Sequence, residues 1–140
     1  MTLDDLLKNQ TIAPIELDAL AIKHYFQIAE RDLMSAELML EEHDADWSFA
    51  IAYHAILQAG RAFMMKKGFR PASSSKHLAV MQFIAVFEKE LGEELVSDFD
   101  KARKRRHLAV YDMIGMVSRT EAENLIVKAK AFVKKVKTMI

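Results

Sequence analysis

The chain has 140 residues, 51% of them hydrophobic and 29% charged, which suits one soluble globular domain and excludes disorder or two full domains. Its 20 Lys and Arg balance 20 Asp and Glu, so the formal net charge is zero, and a chain that coats DNA non-specifically, which needs a basic excess, is excluded. With no cysteine, disulfides, thiolate catalysis and zinc–cysteine sites are excluded as well.

The opening MTLDDLLKNQ carries two early aspartates and no long apolar run, so it does not read as a signal peptide. No stretch of about 18 uninterrupted apolar residues occurs, so no membrane span is expected and the cytoplasm is the default address. Residues 1–16 read as an N-terminal arm that packs on the bundle or on a partner. LDDLLKNQ suits a helical turn, but Pro14 stops any continuation and pushes Ala13 toward extended geometry. Residues 17–140 read as a single helical-bundle domain. Nine Met, four Gly and two Pro leave few turning points and much adaptable apolar filler, which points to helices with short connections.

The first long helix is expected from Leu17 or Asp18 to residues 42–44. Its stripe of Ala21, Tyr25, Ile28 or Ala29, Leu33, Ala36 and Leu40 has the three-four spacing of a buried face. Asp44 or Asp46 caps the second helix, whose stripe includes Ala50, Tyr53, Leu57, Gly60 and Met64. Gly60 costs about 1 kcal/mol against Ala in mid-helix, which a close approach by a neighbouring helix would offset. Lys66 and Lys67 suit the negative helix end, and Gly68 suits the left-handed residue that closes it. Arg70 and Pro71 begin a loop, and one of Ser73, Ser74 and Ser75 caps a third helix with the stripe Val80, Phe83, Ile84, Phe87 and Leu91, ended by Gly92.

The fourth helix starts near Glu93, carries Leu95, Phe99 and Ala102, and ends between Asp112 and Gly115. Ser118 and Glu121 form a capping box that opens a fifth helix with Ala122, Leu125, Ile126, Ala129, Phe132 or Val133, and Val136. No strand-like alternation and no internal repeat compete with this all-α pattern.

The fourth helix holds the most unusual stretch, DFDKARKRRHLAVYD, residues 98–112. Lys101, Arg103, Lys104, Arg105 and Arg106 precede His107, while Phe99, Ala102, Ala109, Val110 and Met113 keep an apolar seam. Residues three and four apart share a helix face, so Arg103, His107 and Tyr111 form one column with Arg106 and Val110 beside it. Lys101, Lys104 and Arg105 are expected largely in water. One reading is an amphipathic helix whose basic stems snorkel over the core edge. The other is a seat for an anion such as phosphate, because Arg offers a planar fork of donors and His moves a proton near neutral pH.

The second helix offers a weaker group: His54, Gln58 and Arg61 share a face beside Tyr53. Arg61 invites either a carboxylate from another helix or an anion. His24 and His43 sit near helix ends and read as surface residues, and His77 reads as loop-facing. No HExxH spacing, no repeated Glu-x-x-His pair and no glycine-rich phosphate loop appears, so neither metal nor cofactor is expected.

Five stretches in order carry a resemblance: AERDLMSAELML, FAIAYHAILQAGRAFMMKKGFRP, SSSKHLAVMQFI, RKRRHLAVYD and SRTEAENLIVKAKAFVKKV. Their order, the KKGFRP close, the KH opening and the final R-x-x-R-H-x-A-x-Y resemble the HEPN family over roughly residues 19–138. The resemblance implies an antiparallel up-and-down bundle of four to five helices that forms a homodimer. It implies a nucleotidyltransferase partner in a toxin–antitoxin pair, since family members are often encoded beside one. Many members cut RNA without metal, using an Arg and a His of the fourth helix; the matching pair here is Arg103 and His107. Only three residues separate that pair, fewer than in the nuclease motif, and Lys104 stands where a polar residue often follows the Arg. The ending is closer to the branch that closes R-x-x-R…Y, for which nucleotide or nucleic-acid binding is presumed. The expected function is a binding module for nucleotide or RNA, with Arg106, Tyr111, Arg61 and His54 as binding residues. The alternative is a metal-independent ribonuclease toxin using Arg103 and His107.

Overall fold

The structure is a computed structural model that describes residues 1–112 and 114–140. Met113, expected on the apolar seam, lies outside them, as does that part of the expected end of the fourth helix. Thr2 and Asp5 satisfy each other's backbone N–H groups and start a short helix, α1 (Leu3–Lys8). The chain then extends as β1 (Ile12–Pro14). Asp18 accepts from the N–H groups of Leu20 and Ala21 and opens α2 (Ala19–Glu41). Asp44 accepts from the Trp47 N–H and opens α3 (Ala45–Lys67), which Gly68 closes at φ +94°. That left-handed conformation is one that L side chains rarely adopt.

Beyond Gly68 lies β2 (Phe69–Pro71), antiparallel to β1 with Ala13 opposite Arg70. The fold is all-α apart from this small pair, which the sequence reading did not include. Three residues per strand are too few to show alternation, and each proline sits at a strand end, where a missing N–H disturbs no ladder. The pairing also fixes the N-terminal arm on the bundle, since Leu6 and Ile12 join the common core.

After β2 the chain forms α4 (Lys76–Val86). The third helix was expected to run unbroken to Leu91; instead it breaks at Phe87 and resumes as α5 (Glu88–Leu91). Phe87 packs its ring 5.4 Å from that of Phe63 and 5.0 Å from that of Phe83. The break accompanies that aromatic seating. Ser75 stands at the α4 cap, but its side chain makes no capping bond; Ser73 Oγ instead donates to the Ser75 carbonyl.

Gly92 precedes α6 (Glu93–His107), which passes directly into a π turn, Leu108–Asp112. The fourth helix was expected to end between Asp112 and Gly115; its α-helical part instead stops at His107, and a π turn carries the chain to Asp112. The wider turn changes the angle between successive side chains just past His107. The capping box of Ser118 and Glu121 then opens α7 (Arg119–Thr138).

Helix directions follow from side-chain partners. Ser48 Oγ donates to the Ala36 carbonyl and His54 meets Asp32, so α2 and α3 run antiparallel. Glu37 pairs with Lys130 and Glu30 with Lys137, so α7 runs antiparallel to α2. Arg105 pairs with Glu121 and Asp98 with Lys128, so α6 and α7 are antiparallel too. The 68–75 segment carries the chain back along α3, which sets His77 beside Tyr53 and Phe83 beside Phe63. A Cβ on Gly60 would stand 2.7 Å from Val80 Cγ1 and 2.9 Å from Ile84 Cδ1. That is the close approach by a neighbouring helix that Gly60 called for.

Candidate functional site

Because the 68–75 segment doubles back, the first turn of α4 faces the last turns of α6. Between them lies a cleft of about 570 Å³, lined by Ser74, Ser75, Lys76 and His77 on one side and Arg103, Arg106, His107 and Tyr111 on the other. A helix start exposes N–H groups with no intrahelical partner and carries partial positive charge. No described side chain caps them here. The cleft thus combines a helix start, three cationic side chains and two imidazoles.

The four clustered basic residues of α6 have different duties. Arg105 donates to both carboxylate oxygens of Glu121 at 2.9 Å and to the Met116 carbonyl at 2.6 Å. This corrects its expected place in water: it ties α6 to the start of α7, and its guanidinium holds the Glu121 carboxyl below the usual carboxylate range. Arg103 donates to Asp100 at 3.3–3.4 Å, and Lys104 shares the same carboxylate. The Arg103 charge is therefore answered in part on its own helix. Arg106 pairs with no carboxylate among the described residues. Its guanidinium carbon lies 5.9 Å from the Tyr53 ring centre and 5.7 Å from that of Tyr111. Ring faces hold the group by cation–π attraction without neutralising it. Burial pushes the Tyr53 phenol up, so that ring stays uncharged, and its Oη has no hydrogen-bond partner among the described residues.

His107 stands beside Tyr111, four residues on, with ring centres 5.0 Å apart. His77 is the residue that sequence reasoning missed. Its neighbour Tyr53 is 6.3 Å away, ring to ring. Desolvation, then the charges of Arg106, His54 and Arg61, hold its imidazole below the ordinary 6.5. The one sequence signal was a Lys-His pair directly after a cap serine, which puts an imidazole in the exposed first turn of a helix.

The column expected on α6 thus converges: Arg103, Arg106, His107 and Tyr111 line one cleft. His54 and Arg61 do not line it. His54 Nδ1 lies 2.6 Å from the buried Asp32 carboxylate, and its Nε2 accepts from the Gln58 amide at 3.1 Å. Both ring nitrogens are occupied: Nδ1 joins α3 to α2 through Asp32, and Nε2 meets Gln58 one turn along α3 itself. Arg61 opens instead into a neighbouring, smaller cleft with Arg70 and Lys76. Among the described residues no group of three or more His, Asp or Glu is placed to hold a metal ion. Nor is any helix there long and apolar enough to cross a membrane.

The family model described as HEPN domain matches residues 22–139. Among solved structures, the crystal structure of TT1696 from Thermus thermophilus superposes with a TM-score of 0.69 at 16% identity. That match covers 85% of this chain and 98% of the other, and at such identity it speaks for the fold alone. No curated protein matches the chain.

Proposed function

From the premise that the chain belongs to the HEPN domain family, we propose that it is a nucleotide- or RNA-binding module whose phosphate seat is the cleft between α4 and α6. The observation that carries this is Arg106: a guanidinium held between two rings, unanswered by any described carboxylate, beside an uncapped helix start. Phosphate oxygens match such a fork, and first-turn N–H groups complete the shell. Binding to a single-stranded RNA should weaken with salt by about 0.7 log units per log unit of salt for each phosphate engaged. A titration across salt concentrations reads that slope, and a flat response would overturn the assignment.

Binding also couples to protons. His77 begins with a depressed pKa, and a bound phosphate raises it by supplying opposite charge. Affinity is therefore expected to rise as pH falls from the bound imidazole's raised pKa toward the free one's depressed pKa, and His77→Gln should flatten that dependence. The charged and titratable groups about His77 are Arg103, Arg106, His107 and Tyr111 across the cleft, Tyr53, His54 and Arg61 from α3, and Lys76 beside it. In the free protein the sign is reversed. A group with a depressed folded pKa contributes stability that is present above its unfolded value and lost as pH falls through the folded one.

A second reading has its own support: two imidazoles, His77 and His107, line the cleft that holds Arg103 and Arg106. One imidazole would take the proton of a 2′-hydroxyl as it attacks phosphorus, the other would protonate the departing 5′-oxygen, and Arg106 would stabilise the charge between. On this reading His107→Ala abolishes RNA cleavage in the presence of a chelator, with thermal unfolding unchanged. Undiminished cleavage by that variant would remove it. The Asp100 contact that answers Arg103 favours binding over cleavage. The proposal extends to a homodimer and to a nucleotidyltransferase as toxin–antitoxin partner, on the strength of the family resemblance. The zero net charge, which does not oppose self-association, is consistent with the homodimer.

A further inference from the structure

The smaller cleft beside the first one has no role in the reading above. It encloses about 200 Å³ among Arg61 of α3, Arg70 of β2, Lys76 of α4, Tyr25 of α2 and Phe69. Resting on the first cleft as a phosphate seat, we infer that Arg61, Arg70 and Lys76 form a second phosphate subsite, so that the ligand is a single-stranded oligonucleotide spanning both clefts.

Three cations from three elements converge here, and among the described residues no carboxylate lines the cleft. None of the three forms an ion pair among those residues; the Arg70 guanidinium donates only to the Pro71 carbonyl, at 3.2 Å. Bringing like charges together opposes folding unless an anion answers them. The fold nevertheless fixes the backbone positions of the two arginines. Arg70 is held by the β1–β2 pairing opposite Ala13, and Phe69 packs 5.8 Å from Phe83. Arg61 sits on the buried helix α3, past its middle. The carboxylate partner that would make Arg61 a plain rim residue is missing among the described residues.

Lys76 lines both clefts, so they adjoin. Arg61 is also close enough to act on His77 in the first cleft. Occupants of the two seats are thus near neighbours. The smaller cleft lies below the usual volume of a small-molecule pocket, and suits a phosphate more than a whole nucleotide. Tyr25 and Phe69 offer ring edges or faces of the kind on which bases rest in single-strand binding.

The two seats are separated by comparing probes of one phosphate and of several. The probes are 5′-AMP and a 2′-O-methyl tetra-adenylate, which cannot be cleaved through a 2′-hydroxyl. Arg61→Gln and Arg70→Gln should each weaken the tetranucleotide by roughly tenfold and 5′-AMP by far less. Arg106→Gln should weaken both. An unchanged tetranucleotide affinity in Arg61→Gln and Arg70→Gln, with Arg106→Gln still impaired, overturns the second subsite and spares the first. No effect of Arg106→Gln on either probe overturns the first seat itself. Stronger competition by a poly-glutamate peptide than by the tetranucleotide would assign the smaller cleft to an acidic protein segment and overturn the inference. Thermal melts of each variant check that the bundle is intact; for Arg61 and Arg106, both on helices, Gln is nearly as good a helix former as Arg.

Discussion

Phe83→Ala is expected to lower the unfolding free energy by about 3–5 kcal/mol, the usual cost of deleting a fully buried aromatic ring. Phe83 has no exposed surface, and its ring meets those of Phe63 at 6.0 Å, Phe69 at 5.8 Å and Phe87 at 5.0 Å. It is the hub where α3, β2, α4 and the break before α5 meet. Domains of this kind carry about 5–15 kcal/mol in total, so one substitution removes a large share. Denaturant melts read the loss as a lower midpoint with an unchanged slope. A change below about 1 kcal/mol would mean that the four rings do not pack as described. The function should suffer as well: α4 loses its anchor on α3, and its first turn forms one wall of the phosphate cleft.

That hub also shows what sequence reasoning reaches. The stripe Val80, Phe83, Ile84, Phe87 was legible because three-four spacing marks a buried face whatever lies opposite. The break at Phe87 was not, because an aromatic residue gives no local stop signal; it accompanies ring contacts with Phe63 and Phe83. Caps were legible for the opposite reason. Asp18, Asp44, Gly68 and the Ser118–Glu121 box act within one turn of themselves, so no distant residue can overrule them. The β1–β2 pair joins residues far apart in sequence and rests on three residues a side, so nothing local announces it.

The site divides along the same line. Arg103, Arg106, His107 and Tyr111 share one stretch of chain, and helical spacing put them on one face. His77 arrives from another helix through a segment that doubles back, a matter of topology. Which arginine keeps its charge free was also hidden, because that depends on partners. Asp100 is near in sequence and its claim on Arg103 was available from the three-residue spacing. The claim of Glu121 on Arg105 spans the turn between two helices and was not.

Those partners set the order in which arginine substitutions should act on RNA binding. Arg106→Gln is expected to weaken it by roughly tenfold or more, the loss of one charge-assisted contact to phosphate. The salt slope should become shallower by about 0.7. Stability should change by at most about 1 kcal/mol, because what holds Arg106 is ring contact at a cleft edge. Arg103→Gln should weaken binding less, since Asp100 already answers part of that charge. Arg105→Gln should leave binding nearly intact and lower the melting temperature, because it strips the bond from α6 to the start of α7. The same basic run would then yield three phenotypes from three neighbouring positions. Charge density alone predicts equal losses at all three, so equal losses would show that the run acts as a diffuse positive surface. A graded result, largest at Arg106, would show that the unanswered guanidinium is what the ligand meets.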